Sequence, residues 1–465
     1  MTTVDLTITD AKIVTEAEII EGGVACDDGR IVAIEASEEL PEGERVIDAA
    51  GEYVLPGFVD PHVHLGRRDL GFPEQLPIDF ETETRGALHG GVTTIMNFIE
   101  HGDPYLPHWD RFIEIGEDRS YVDFVHHAVI SHEHHIGEIK GLIDRGVISF
   151  KMFFNMYKYH DIDIEPCEVD RVLRVLEILS NAPETIAMFH CENAEIQRLM
   201  EQRMRDAGRS DLVAWREASP PIAEAIQVDQ VGRLTKFSGA RSYAVHISST
   251  EGVDTLARYQ AAGVPLVGET LVTFLVNTAD EDIGVWGKVS PPLRDEQHQQ
   301  RLWEAVRSGV IEHVGTDHIA TSKEVREGGE GKYGNMWDAP PGIQPGLEFF
   351  LPMMLTEGYH EGRITMSRLV EVCATNNAKR FGLYPRKGVI AEGSDADLVI
   401  VDTDATMTID DDFFHTREPR WSSVHGREIK GLPSHVILGG EIAIHHGERL
   451  VEPGIGKYLT RGQAK

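Results

Sequence analysis

Basic residues are scarce. The chain has 44 Lys and Arg against 77 Asp and Glu, a formal net charge of -33. Such a surface repels a phosphate backbone or an anionic bilayer, so neither nucleic acid nor membrane is expected as a partner. Cysteine is also sparse. Cys26, Cys167, Cys191 and Cys373 lie far apart, with no CxxC spacing. That argues against a disulfide framework or a cysteine zinc cluster and fits a reducing cytoplasm. Cys191, beside His190, reads as a small buried filler. No apolar run approaches the ~20 residues of a membrane helix. Met1 to Leu6 show no basic-then-apolar pattern, so no signal peptide is expected. No GxGxxG turn follows a strand-like run, which weakens a doubly wound dinucleotide fold. Internal repeats and low-complexity tracts are missing too.

What is present is an ordinary globular composition, 41% hydrophobic and 26% charged over 465 residues. That length suits one large α/β domain plus a smaller one. The chain ends read as β structure. Leu6–Thr9, Ile13–Val14 and Arg30–Ile34 lie at one end. Asp397–Asp402, His435–Leu438 and Ile442–Ile444 lie at the other, the last two joined by a turn beginning Gly439-Gly440. Strands this short need partners, so the ends are expected to pair into one β-domain, residues 1–55 with 385–465. Residues 56–384 carry eight strand-like runs: Gly57–His64, Thr94–Phe98, Asp123–Ile130, Ile148–Phe154, Ile186–His190, Ser242–Ser248, Pro265–Gly268 and Glu312–Asp317. Helical periodicity separates several of them, most clearly over Val169–Leu179 and Gln299–Ser308. Eight such units predict a (β/α)8 barrel. The polar, Gly- and Pro-containing span Ser322–Gln344 reads as a long loop, of the kind that often forms a lid.

Chemistry concentrates at strand ends. His62 and His64 are two apart in a buried strand and so share a face. A lone HxH serves equally well as a structural pair. Lys151 sits inside the apolar run Ser149–Phe154. It is either a lysine snorkelling from a strand end or a buried amine that loses its proton easily and forms a carbamate with carbon dioxide. His190 and His246 end apolar runs, and each alone would be read as a core histidine. Asp317 ends the eighth run, as a turn cap or as a ligand and general base. The combination decides. A barrel brings the C-terminal ends of its strands to one mouth, where His62, His64, Lys151, His190, His246 and Asp317 would meet. Four imidazoles, a carboxylate and a carbamate suit two divalent cations. Zn2+ fits the donors, with Mn2+ or Co2+ as alternatives. His126, His127, His132, His134 and His135, around the third run, read as packing and pocket-wall residues.

These ligand positions occur with Gly91-Val92-Thr93-Thr94, Ser290-Pro291-Pro292-Leu293-Arg294, Val314-Gly315-Thr316-Asp317-His318, Phe381–Gly388 and Gly393–Val399. On these stretches, in order along nearly the whole chain, the sequence resembles the cyclic amidohydrolase branch of the amidohydrolase superfamily, dihydropyrimidinases and hydantoinases above all. The resemblance implies a (β/α)8 barrel, a β-sandwich from both chain ends, two metals and commonly a homotetramer. It implies that His62, His64 and Asp317 hold the more buried metal, His190 and His246 the more exposed one, and N6-carboxylated Lys151 bridges them. A bridging hydroxide would open a cyclic amide or imide ring such as hydantoin or dihydropyrimidine, with Asp317 moving the proton. Allantoinase or dihydroorotase activity with the same centre is the rival enzyme reading. A non-catalytic dihydropyrimidinase-related scaffold is the rival from another class, but such proteins lack the ligands.

The chain departs from the family in several places. Tyr157, the candidate for holding the oxyanion, falls one residue later after Lys151 than the family pattern. Ser290 matches a serine whose backbone contacts the substrate. Pro341 replaces the lid asparagine ahead of Gly342-Ile343, keeping a carbonyl acceptor and losing an N–H donor. Dihydroorotases have an arginine two residues after the second histidine. Gly66 is there instead, followed by Arg67 and Arg68.

Overall fold

The computed structural model describes residues 3–67, 72–154, 167–328, 332, 334–343, 346–417 and 422–461. The N-terminal strands are β1 (Val4–Val14), β2 (Ile19–Asp27), β3 (Arg30–Glu35), β4 (Gly43–Asp48) and β5 (Tyr53–Pro56). The central strands are β6 (Phe58–His64), β7 (Val92–Ile99), β8 (Asp123–Val129), β9 (Ser149–Phe153), β10 (Ile186–His190), β11 (Ser242–Ala244), β12 (Leu266–Leu271), β13 (His313–Gly315) and β14 (His318–Ile319). The C-terminal strands are β15 (Leu398–Thr408), β16 (Glu428–Leu438), β17 (Glu441–His445) and β18 (Glu448–Arg449).

The central strands are parallel neighbours in the order β13-β12-β11-β10-β9-β8-β7-β6-β14. β13 and β14 are two pieces of one run, broken only at Thr316-Asp317. β13 pairs with β12 and β14 with β6, so the eighth strand closes the sheet. This is the (β/α)8 barrel. Its strands are buried from end to end, as expected of a parallel sheet covered by helices. The helix Val169–Ser180 shows how the cover forms. Its buried residues Val172, Val175, Leu176 and Leu179 make one apolar stripe.

The chain ends form one continuous mixed sheet, in the order β18-β17-β16-β15-β5-β1-β2-β3, with β4 paired to β1. Leu6, Ile8, Val24, Val54, Leu398, Ile400 and Ile437 share its apolar core. The hairpin read at Gly439-Gly440 is β16–β17, with Leu438 opposite Glu441.

The sixth and eighth predicted strands end well before the sequence suggested. The sixth stops at Ala244, so His246 lies beyond it, and the eighth breaks before Asp317. Both residues adopt left-handed backbone, φ 43° at His246 and φ 51° at Asp317. A left-handed residue cannot continue a strand. The long loop after the eighth strand contains the short helix Lys323–Glu327.

A charge cluster ties the two sheets together. Lys387 Nζ is 2% exposed and reaches Asp123 Oδ2 at 2.5 Å, Asp397 Oδ2 at 2.6 Å and Asp395 Oδ2 at 2.9 Å. Asp123 opens β8 and Asp397 immediately precedes β15. Burial would lower the Lys387 pKa, but the carboxylates outweigh it and raise it. Lys387→Met leaves these carboxylates without their cation. It should cost roughly 3–5 kcal/mol, read as a lower urea midpoint and a lower melting temperature.

Candidate metal centre at the barrel mouth

β6 places Asp60, His62 and His64 at alternate positions on one face. Asp60 is the anchor. Its Oδ1 accepts the backbone N–H groups of His62 at 3.0 Å and Thr316 at 3.2 Å, and its Oδ2 accepts the Thr316 hydroxyl at 2.5 Å. Complete burial pushes the Asp60 carboxyl up to about 8. A Cβ added at Gly315 would lie 3.2 Å from Asp60 Oδ1 and 3.3 Å from His62 Cβ. Glycine there allows the eighth strand to approach the first closely.

Asp317 follows at once. Its Oδ1 lies 3.2 Å from His62 Nε2 and 3.1 Å from His64 Nε2. Burial would raise its pKa, but the surrounding imidazoles hold it well below the usual carboxylate range. Lys151, on β9, is 1% exposed, and its Nζ is 3.0 Å from His62 Nε2. The rings of Phe98 and Phe153 flank it at 4.4 and 5.0 Å. Burial brings the amine down to about 8, against the pull of Asp317 and Glu269. At the end of β10, His190 Nδ1 meets His246 Nε2 at 3.0 Å. The structure therefore brings together His62, His64, Lys151, His190, His246 and Asp317.

The backs of these rings show what the fronts are for. His62 Nδ1 is 2.7 Å from Glu269 Oε1, and the Tyr243 hydroxyl donates to the other Glu269 oxygen at 2.8 Å. His190 Nε2 is 2.7 Å from Glu192 Oε2. His64 Nδ1 lies 3.6 Å from Glu100 Oε2. A proton on the outer nitrogen, directed at a carboxylate, leaves a lone pair on the inner one. Burial holds His62 and His246 well below the ordinary histidine value, so both are neutral. With its proton directed at Glu192, His190 presents its Nδ1 lone pair to His246 Nε2 at 3.0 Å. Among the described residues, Nδ1 of buried His246 has no hydrogen-bond partner. The ligand atoms of His62, His246 and Asp317 all lie within 4.8 Å of one another. Neutral imidazoles, a carboxylate and an amine arranged in this way suit cations.

Left-handed backbone at a non-glycine residue costs on the order of 1–3 kcal/mol. It occurs here at His246 and Asp317, where the backbone turns off the strand.

Around this cluster opens a cleft lined by Arg67, Phe153, Ser290, Ile319, Pro341 and Gly342. The Ser290 hydroxyl donates to Glu192 Oε2 at 2.9 Å. The Gly342 N–H is held by the Lys288 carbonyl at 3.1 Å. Arg67 Nε is 3.3 Å from Glu100 Oε2. Tyr157 and Arg68 lie outside the described residues. His127 packs under the centre, 3.0 Å from the Pro61 carbonyl, and His135 bonds the Asp103 carbonyl at 3.0 Å. Cys191 is buried.

Sequence reasoning missed Asp60, Glu192 and Glu269. A signal was available in each case. Asp60 continues the alternation of His62 and His64, Glu192 is two residues beyond His190, and Glu269 interrupts an apolar strand.

The amidohydrolase family model matches residues 53–442. L-hydantoinase of Paenarthrobacter aurescens is 32% identical over 463 residues, covering 98% of each chain. D-hydantoinase of Ralstonia pickettii is 32% identical over 99% of this chain and 100% of its own. Among solved structures, L-hydantoinase (dihydropyrimidinase) from Arthrobacter aurescens superposes with a TM-score of 0.90 at 30% identity, over 99% of this chain and 100% of that one. D-hydantoinase from a Thermus species gives 0.88 at 31% identity, over 98% and 99%. With its barrel closed around inward-facing imidazoles and the match running almost end to end, the chain belongs to the amidohydrolase family.

Proposed function

We propose that the protein hydrolyses a ring amide of a small cyclic amide or imide, with hydantoins and dihydropyrimidines as the leading substrates. One observation carries the reading: the inner faces of His62, His64, His190 and His246 converge with Asp317 and Lys151 at one barrel mouth. The relatives' names point the same way, since they include L-hydantoinase, D-hydantoinase and dihydropyrimidinase.

In this reading His62, His64 and Asp317 hold one cation, and His190 and His246 hold the other. Lys151, its Nζ 3.0 Å from His62 Nε2, would supply a ligand to both. Its neutral amine adds to carbon dioxide, an N–C bond forms, one proton leaves, and the resulting carbamate offers two oxygens. Zn2+ suits the donors, with Mn2+ or Co2+ as alternatives. When bound, two such ions lower the pKa of water toward neutrality and polarise a carbonyl. Asp317 accepts the proton of the attacking water and returns it to the leaving nitrogen. Water adds to the ring carbonyl, the C–N bond breaks, and the product is an N-carbamoyl amino acid or a related amide acid.

The Ser290 backbone and the Pro341 carbonyl are the proposed substrate contacts, supported by their place in the cleft lining. Tyr157 is the proposed oxyanion partner. A second reading, a carboxylate-bearing ring such as dihydroorotate, is favoured by Arg67 in that same lining. Separation into a catalytic barrel, 56–384, and a β-domain of 1–55 with 385–465 is supported by the two distinct sheets. A cytoplasmic location is supported by four unpaired, buried cysteines. Among the described residues no helix is long and apolar enough to cross a membrane. A homotetramer is the assembly proposed, on family resemblance.

Three measurements test this. Metal-replete protein is assayed for ring opening of hydantoin, dihydrouracil, dihydroorotate, allantoin and phthalimide. Hydantoin or dihydrouracil should open fastest, and loss of divalent metal should stop turnover. Inertness toward all five, with no divalent metal bound, would leave the scaffold reading. Lys151→Ala should lose metal and turnover together, with short carboxylates partly restoring both; full activity in that variant excludes the bridging role. Glu269→Gln removes the carboxylate behind His62 and should weaken metal retention about 10–100-fold, measured by chelator competition.

A further inference from the structure

The terminal sheet carries a second group of imidazoles, unconnected with the barrel mouth. His435 on β16 is paired directly with His445 on β17. Directly opposed residues of an antiparallel pair project from the same face of the sheet. The adjacent pair, Val436 and Ile444, is buried on the opposite face. His435 is half-buried, while His445 and His446 are exposed.

His446 ought to point away from the other two, because neighbouring residues of a strand alternate. It does not. Its backbone is left-handed at φ 47°, while its N–H remains bonded to the Ser434 carbonyl at 2.7 Å. That turn brings the His446 ring within 4.7 Å of His445 and 5.1 Å of His435, centroid to centroid. The His435 and His445 rings are 4.8 Å apart. The rings are tilted 33°, 52° and 62° to one another rather than stacked flat. One nitrogen from each lies within 4.8 Å of the others.

We propose that His435, His445 and His446 form a surface metal site for a borderline divalent cation such as Zn2+. Three imidazoles match the nitrogen preference of that ion. Ligand nitrogens around a tetrahedral ion at ~2.0–2.1 Å sit about 3.4 Å apart. Rotation of the two exposed side chains closes the remaining gap without moving the sheet. The Ser434 hydroxyl, 3.3 Å from His435 Nδ1, orients the half-buried ring. That hydroxyl in turn donates to Glu52 at 2.8 Å, which brings a carboxylate to the rim of the site. The bound ion would cross-link β16, β17 and the turn into β18, fastening the last hairpin of the chain.

The test uses full-length protein without a histidine tag, its barrel centre loaded and excess metal removed. Calorimetric titration with Zn2+ should show one further equivalent. His445→Gln and His446→Gln should each lose it, with the barrel's metal content unchanged. Lys151→Ala should retain it, so failure of the barrel centre is read separately. A wild-type chain that takes no further equivalent overturns the proposal. So does a His445→Gln/His446→Gln double variant that binds Zn2+ as the wild type does.

Discussion

The barrel mouth depends on one electrostatic constraint: buried imidazoles with protons held at the back and lone pairs exposed at the front. Glu269 and Glu192 sit 2.7 Å behind His62 and His190. Burial alone would raise Glu192, yet its hydrogen bond from His190 and its other partners hold it low. Burial wins at Glu269, which is pushed up to about 8 despite the Tyr243 hydroxyl. The two carboxyls are therefore not equivalent. A positive charge at the mouth would stabilise both as anions, and only at Glu269 would that draw off a proton.

The fold serves that constraint. Parallel strands deliver His62, His64, Lys151 and His190 in register, because alternation fixes which side chains face inward. His246 and Asp317 arrive by another route. Both lie past a strand end, on backbone that a non-glycine residue adopts at a cost. Tight packing around them, including the Asp60 bonds to Thr316 and the close approach at Gly315, holds that geometry. Two of the six left-handed non-glycine residues among the described residues thus sit at the barrel mouth.

Much of this was legible in the sequence. Eight apolar runs predicted the barrel because a buried parallel strand needs a continuous apolar stretch. His62, His64, Lys151 and His190 were legible because each polar residue interrupts or ends such a stretch. The exact ends of the sixth and eighth strands were not. Nothing in Val245-His246 or Thr316-Asp317 announces a left-handed turn, since these residue types also occupy strands. Asp60, Glu192 and Glu269 were passed over because their role is relational. Each has a cue in the sequence, but its role is fixed only once its partner, an imidazole or a backbone N–H, is placed beside it. The mixed terminal sheet was expected as a pairing of chain ends, but its strand order depends on contacts hundreds of residues apart, such as β15 with β5.

The Ser290 hydroxyl has a consequence for how this scaffold can change over evolutionary time. It shares Glu192 with His190, so the cleft wall and the metal-facing ring are mechanically joined on that side. A substitution that reshapes the wall there also disturbs the imidazole behind it. Pro341-Gly342 line the same cleft, held to the Lys288 carbonyl by the Gly342 N–H at 3.1 Å, and supply none of the six converging side chains. A change in the cleft wall at Pro341-Gly342 is therefore less constrained than one at Ser290, whose hydroxyl is tied to the carboxylate behind His190.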